Sequence, residues 1–368
     1  MARFVIFTNT NWSEAPRIRH QLTRLLLKNK HTVSFFEKPR FLFRTSAPDF
    51  TTLESDLLLV QIKQLINHQL RVIPIFHWFN SVIVKHYIRK RLKRGLYDSQ
   101  TVIINFAYDY YFLRDLFPNN KIITIINDDF EALSRFPFHQ HITWALRSTC
   151  KMSDAVFCVS TPLQKRLQNW CRPELFLPWA VSPYQVPSVD VTKKNILLFW
   201  GSIDNFLDLE MVMKLSDSLS THHPEWKLFL VGPAEHPENR PIIAKQLAPY
   251  TNIHIFDPSP LNDLPLDQTL AAIIPYSRSP AADAVTLANK SMQLLARGLP
   301  LIISGMPAFI EKPFVKRLDG EETIEQVLGF CLNNFNAMQP EIKKFIDENS
   351  PESRLKQLGL VDDKQSSV

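Results

Sequence analysis

The chain has 368 residues, of which 45% are hydrophobic and 21% charged, a balance that excludes a disordered protein and suggests two domains rather than one core. No stretch approaches the roughly 20 apolar residues of a membrane span, and the opening MARFVIFTNTNW lacks the long apolar region of a signal peptide, so the expectation is a protein that stays in the cytoplasm. The net charge of +6 is unevenly spread: residues 1–190 carry 25 lysines and arginines against 14 acids, and the remainder 17 against 22, which gives the N-terminal half an anionic partner, either nucleic acid or an acidic membrane surface.

The first predicted element is the strand RFVIFT, followed by a polar loop, TNTNWSEAP, the helical stretch RIRHQLTRLLLKN and a second strand, HTVSFFE. Further on, HWFNSVIVKHYIRKRLKR places Trp78, Phe79, Val82, Ile83 and Tyr87 beside Lys85, Arg89, Lys90, Arg91, Lys93 and Arg94. That composition suits either an anionic bilayer surface or a solvated helix face. TVIINF (101–106), KIITIIN (121–127) and DAVFCVS (154–160) are three more strands with helical segments between them. A proline-rich stretch without periodicity then places a linker at 178–194. After it the pattern restarts with NILLFWG, WKLFLVGP, NIHIFDP, LAAIIPYS and LPLIISG, the last preceded by an apolar helical run that Gly298 and Pro300 terminate. The tail reads NSPESRLKQLGLV, a short helix with Ser350 as N-cap and Pro351 in first position, before a frayed DDKQSSV.

Strands alternating with helices mean parallel sheets covered on both faces, hence an α/β protein of two doubly wound domains. The expected division is 1–180, 195–340 and a tail, 341–368, that crosses back to the first domain. Ligands collect beyond the carboxyl ends of parallel strands, and two such domains facing one another enclose a cleft there.

That rule selects the loops that carry chemistry. NILLFW runs into Gly201, which lets backbone approach a ligand, and Ser202, which can donate a hydrogen bond. LAAIIPY delivers Tyr276 and Arg278 to the same rim, and Asn289, Lys290 and Gln293 follow at a helix start, with Lys290 and Gln293 one turn apart. Lysine and arginine beside a helix start suit two phosphates, and Gln293 can reach sugar hydroxyls. The plainer reading of Lys290 is a solvated charge, although it opposes the helix dipole there. Neither GxGxxG after the first strand nor GxxxxGK[ST] is present, which removes the main support for nicotinamide and P-loop chemistry. The four cysteines lack CxxC spacing and a histidine pattern, so they read as buried thiols, with no metal site and no cofactor.

These strings resemble a family. GSIDNFLDLEMVMKLSDSLSTHHPEWKLFLVGP is similar to the first strand, helix and second strand of the C-terminal domain of GT-B glycosyltransferases, and AAIIPYSRSPAADAVTLANKSMQLLARGLPLIIS resembles their nucleotide-sugar segment. NWSEAPRIRHQLTRLLLKNKHTVSFFEKP, IINDDFEAL and CKMSDAVFCVSTPLQKRL resemble the N-terminal half of bacterial polysaccharide glycosyltransferases, and NSPESRLKQL their final helix. Gln293 stands where most relatives carry Glu, and Val285 where retaining enzymes carry a second acid. A glutamine there resembles the inverting glucuronosyltransferases of xanthan-type assembly.

The resemblance implies a GT-B fold, two Rossmann-like domains facing a cleft. It implies a metal-independent transfer of a hexosyl or glucuronosyl group, with inversion favoured, from a nucleoside-diphosphate sugar, UDP-linked, to a lipid-linked or polysaccharide acceptor. The donor would meet Gly201, Ser202, Tyr276, Arg278, Asn289, Lys290 and Gln293. An inverting enzyme needs a carboxylate to take the acceptor's proton, and Asp128, at the end of KIITIIN, is the first choice, its alternative being a cap on the helix FEALSRF. Trp12, Arg17 and His20, with Arg19, are the acceptor candidates, although arginine and histidine on an early helix more often face solvent. The enzyme would sit peripherally on the inner face of the cell membrane through residues 85–94, with no nucleic acid. Two alternatives stand beside this: a sugar-nucleotide epimerase of the same architecture, and a basic Rossmann-like binding protein without enzymatic activity.

Overall fold

In a computed structural model the described residues are 2–360 except 15, 44–47, 133, 135, 136, 204, 205 and 235–237, and the chain divides into two compact units, Met1–Leu177 and Pro178–Val368. The first unit contains strands β1 (Arg3–Phe7), β2 (Thr32–Phe36), β3 (Arg40–Phe41), β4 (Phe50–Glu54), β5 (Leu57–Val60), β6 (Lys63–Gln64), β7 (Val102–Asn105), β8 (Ile122–Ile126), β9 (Ala155–Cys158) and β10 (Pro173–Leu175). Its helices are α1 (Ile18–Lys28), α2 (Pro74–Leu92), α3 (Leu113–Leu116), α4 (His139–Met152) and α5 (Thr161–Leu167). Eight strands form one sheet in the order β10-β9-β8-β7-β1-β2-β5-β4, while β3 and β6 pair separately. Every pairing in the large sheet is parallel except β4 with β5. β1 lies between β2 and β7, so the order of strands reverses between β1 and β7.

The sequence explains this layering. β8 reads IITII and is buried along its whole length, as a strand covered on both faces must be. On one side Val84, Ile88 and Leu92 of α2 pack with Val5, Phe7 and Ile103. Elsewhere Ile142, Ala145 and Leu146 of α4 pack with Val156 and Cys158 of β9.

The second unit contains β11 (Ile196–Trp200), β12 (Lys227–Val231), β13 (Ile253–Phe256), β14 (Thr269–Pro275), β15 (Leu301–Ser304) and β16 (Val315–Arg317). They pair in parallel in the order β13-β12-β11-β14-β15-β16, so the reversal falls between β11 and β14. Helices α6 (Leu209–His222), α7 (Asn239–Leu247), α8 (Pro280–Asp283), α9 (Asn289–Leu295), α10 (Ile324–Glu348) and α11 (Pro351–Gln357) complete it. Gly298 takes the left-handed conformation, φ 70°, three residues beyond α9. Ser350 accepts the Ser353 N–H at 3.2 Å to cap α11, with Pro351 first. Residues 361–368, which include the whole of the expected frayed DDKQSSV, fall outside the described residues.

Two expectations are corrected. The stretch after Asp128 is a turn at 130–132 and not the expected helix FEALSRF, of which 133, 135 and 136 fall outside the described residues. The basic face of α2 is also smaller than its composition suggests. Arg91 is 3% exposed, where its Nε donates to the Gln61 carbonyl and its guanidinium pairs with Asp49, and Lys85 pairs with Asp115 at 2.5 Å. The outward stripe is Ile75, Trp78, Phe79 and Val82, followed by exposed Arg89 and Lys90 in the last turn of the helix and Lys93 and Arg94 just beyond its end. Among the described residues no helix is long and apolar enough to cross a membrane, and no group of three or more His, Cys, Asp or Glu is placed to hold a metal ion.

The carboxyl ends of the second sheet approach one another only because glycines end two of the strands. A β-carbon on Gly232, after β12, would lie 1.8 Å from the Gly201 carbonyl oxygen, and one on Gly305, after β15, 1.7 Å from that of Tyr276. Gly232→Ala therefore drives backbone into backbone, and we expect a loss of about 3 kcal/mol or more in urea unfolding.

Candidate functional site

At the reversal between β11 and β14, the place where open α/β sheets bind ligands, the structure seats a lysine. The Lys290 Nζ lies 4.1 Å from the Phe199 ring centre and 4.8 Å from that of Tyr276. A β-carbon on Gly201 would fall 2.6 Å from the same nitrogen. Gly201 thus supplies the hollow into which the ammonium fits, and two ring faces attract it there through their quadrupoles. Tyr276 is held by the loop that follows β11: Leu207 bridges it, the Asp208 N–H donates to the Pro275 carbonyl at 2.9 Å, and the Ser277 N–H to the Phe206 carbonyl at 2.9 Å.

The other second-unit candidates are placed differently. The Ser202 hydroxyl donates to the Pro233 carbonyl at 3.4 Å. Arg278 is exposed and pairs with Asp283 at 3.4 Å, so its side chain leans towards α8. Asn289 opens α9 with Oδ1 buried and unpartnered among the described residues, as are the hydroxyls of Ser291 and Ser304. Gln293, one turn after Lys290 on α9, is held by the chain that precedes β11. Its Nε2 donates to the Trp179 carbonyl at 3.0 Å and its Oε1 accepts the Val181 N–H at 3.1 Å. The sugar-hydroxyl contact expected of Gln293 has to share the amide with these two bonds.

In the first unit, Asp128 follows β8 and is half-buried beside Asn127, whose Nδ2 donates to it. Burial pushes its carboxyl above the usual carboxylate range, against the opposing pull of Arg19 and Arg17. Asp129 points elsewhere, forming a two-pronged pair with Arg166 at 3.0 and 2.9 Å and accepting the Ala132 N–H at 3.0 Å. The solvent-facing expectation for the early helix fails. Arg19 and His20 are 4% and 1% exposed, and burial lowers Arg19 to about 10 and pulls His20 below its ordinary value. His20 Nδ1 accepts the Arg17 N–H at 3.1 Å while Nε2 donates to the Asn11 carbonyl at 3.1 Å, which fixes a neutral ring with both nitrogens committed. His20 therefore shapes the loop from inside. Trp12 leans on His20 and Phe35, its N–H donates to Glu37 at 2.7 Å, and Arg17 remains exposed.

Sequence reasoning missed Phe199, and it missed Asp109 and Arg71, which pair at 3.3 Å. Asp109 follows the strand TVIINF by three residues, so the same rule about carboxyl ends points to it.

Two units of this topology define the GT-B fold. No family model matches the sequence, and no curated protein does. Solved structures share the fold along nearly the whole chain. Trehalose-6-phosphate protein from E. coli bound with UDP-2-fluoro glucose has a TM-score of 0.67 at 11% identity, covering 97% of this chain and 98% of that one. Sucrose-phosphate synthase from Thermosynechococcus elongatus has a TM-score of 0.62 at 14% identity, covering 97% and 94%. WaaG, a glycosyltransferase involved in lipopolysaccharide biosynthesis, has a TM-score of 0.60 at 13% identity, covering 100% of both chains.

Two substitutions test this geometry. In Gly201→Ala the new β-carbon meets the end of a flexible side chain rather than backbone. Stability should change by no more than about 0.5 kcal/mol, while the ring-current shift of the Lys290 ε-methylene in NMR spectra is lost as the ammonium is displaced. Gln293→Glu keeps the acceptor for Val181 but loses the donor to Trp179, so we expect a loss of about 1–3 kcal/mol at neutral pH. The loss should shrink in acid, below the usual glutamate value of about 4.3, where the protonated carboxyl can donate again.

Proposed function

We propose that this chain is a metal-independent glycosyltransferase that moves a hexosyl or glucuronosyl group from a UDP-linked donor to a lipid-linked or polysaccharide acceptor. The observation that carries the reading is Lys290 in the hollow of Gly201 at the strand-order reversal of the second unit. When the sugar–phosphate bond breaks, the departing diphosphate gains charge. A lysine already held between two ring faces spends little conformational entropy to meet it. The fold shared with a protein solved with UDP-2-fluoro glucose supports the choice of uridine.

Inversion is part of the proposal, with Asp128 as the base that takes the acceptor hydroxyl's proton. Its burial makes the carboxylate a stronger base than an exposed one, and Arg17 and Arg19 limit the shift. The sign follows directly: the base works when ionised, so turnover should fall as pH drops through a value above the usual carboxylate range. The folded state also prefers Asp128 protonated, a contribution to stability present at low pH and lost as pH rises through that value.

The stripe on α2 supports a membrane-bound acceptor. Ile75, Trp78 and Val82 are 60%, 59% and 52% exposed, and the four exposed basic residues beyond them contribute about 1 kcal/mol each near an anionic surface before screening. On this reading the enzyme works peripherally on a cytoplasmic membrane face.

Release of UDP from a panel of UDP-sugars, with and without membrane lipid extract, tests the reading. Lys290→Ala should lower turnover by about 10²–10³ and weaken donor binding. Asp128→Asn should bind donor normally, lose turnover, and melt higher than the parent at pH 7 because it removes a buried charge. Near-normal turnover in either variant removes that residue from the reaction. In flotation with anionic vesicles the chain should bind in a salt-sensitive way, and Trp78→Ser with Lys90→Gln should reduce recovery. Equal recovery with neutral vesicles counts against the surface.

A further inference from the structure

Three of the four cysteines lie together in the first unit. Cys150, near the end of α4, and Cys158, the last residue of β9, are 2% and 0% exposed, and both belong to the apolar cluster that joins these elements to Leu163 and Leu167 of α5. Cys171, four residues beyond α5, packs against the same cluster but is only half-buried, which departs from the expectation of a sealed thiol. Its N–H and its Sγ both turn back to the Leu167 carbonyl, at 3.1 and 3.6 Å, so the residue is folded against the end of α5. There the Cys150 thiol donates to the Cys171 sulfur. Cys158 aims its thiol at backbone instead, at the carbonyls of Glu174 and Ser160, 3.6 and 3.8 Å away.

A free cysteine in a core ordinarily behaves as a small hydrophobe, and Cys158 fits that description. The other two differ because their sulfurs meet across separate elements, one of them within reach of solvent. The hydrogen bond from Cys150 favours the thiolate of Cys171 and holds its thiol below the ordinary value, while the same contact, with burial, pushes the Cys150 thiol up. A half-exposed sulfur that ionises readily thus sits beside a sealed one that keeps its proton. That is the division of labour between a thiol that meets an oxidant and a thiol that resolves the product.

We propose that Cys150 and Cys171 form a redox-modification site, in which a peroxide oxidises Cys171 and Cys150 then closes a disulfide between the end of α4 and the chain beyond α5. In the first step the Cys171 thiolate attacks one oxygen of hydrogen peroxide, the O–O bond breaks, and the hydroxide released takes up the proton the thiol had lost and leaves as water. In the second the Cys150 sulfur attacks the sulfur of the Cys171 sulfenic acid. The S–O bond breaks as the S–S bond forms, and the departing hydroxide takes the Cys150 proton to leave as a second water. Two thiols lose two hydrogens, and one peroxide is reduced to two waters. The bond would join two helices that brace the segment carrying Asp128: Arg166 of α5 pairs with Asp129 at 3.0 and 2.9 Å, and Thr143 of α4 donates to Glu131 at 2.9 Å. The inference stands apart from the glycosyltransferase reading.

The test treats the full chain with hydrogen peroxide at neutral pH, removes the excess with catalase, and maps the cysteines by alkylation, non-reducing digestion and mass spectrometry. The native chain should lose two hydrogens in intact mass, yield a peptide that links Cys150 to Cys171, and return to its starting mass with dithiothreitol. Cys150→Ser should halt at a Cys171 sulfenic acid that dimedone traps, and Cys171→Ser should give neither product. Cys158→Ser should leave the rate of linkage within twofold. Should Cys150→Ser fail to fold, Cys171→Ser, at the half-exposed position, carries the assignment. Linkage through Cys158 or between two chains overturns the proposal, as does oxidation that begins only once urea has opened the cluster.

Discussion

The ammonium of Lys290 occupies space that any residue other than glycine at position 201 would fill. That constraint propagates through the second sheet. Gly201 can sit where it does because Gly232 offers no β-carbon to its carbonyl oxygen, and Tyr276 can roof the lysine because Gly305 offers none to its own. The ends of β11, β12, β14 and β15 are thereby drawn together around one cation. Backbone thinning of this kind costs stability in the unfolded-state balance, since glycine loses more freedom on folding than other residues. It persists where close approach is required.

The two units solve a similar problem by different means. At the first reversal point the cation is held by a carboxylate, and the pair is nearly neutral. At the second it rests against ring faces, which attract a cation through their quadrupole.

Much of this was legible because it depends on local pattern. Five strands in each half announce themselves as apolar runs, and Gly298, Ser350 and Pro351 sit where helix ends need them. The elements that escaped notice are short or polar. β4 reads FTTLE and is mostly exposed, which an antiparallel edge strand tolerates, and β16 spans three residues. The site was legible only in part. Lys290, Gly201 and Tyr276 are brought together as their places after strands implied, but the partners of Gln293 lie more than a hundred positions upstream, with no periodicity to reveal them. His20 and Arg19 misled by residue type, because the loop after β1 supplies enough backbone groups to satisfy a buried imidazole. Asp109 gains its meaning from Arg71, and no spacing rule connects a strand end to an earlier 3-10 turn.

The bonds made by Gln293 bear on where the chain can be divided. Residues 178–194 read as a connector, yet the second unit holds on to them: the Gln185 N–H donates to the Ala296 carbonyl at 2.8 Å, and the Tyr184 hydroxyl donates to Gln339 Oε1 at 2.7 Å. Val186 lies against the bare α-carbon of Gly298, and Lys194 donates to the carbonyls of Asp267 and Thr269 at 3.2 and 3.0 Å. An expression fragment begun at 195 would strip a buried ammonium and the partners of two glutamine amides from the unit it was meant to isolate. One begun at 178 carries its own edging with it.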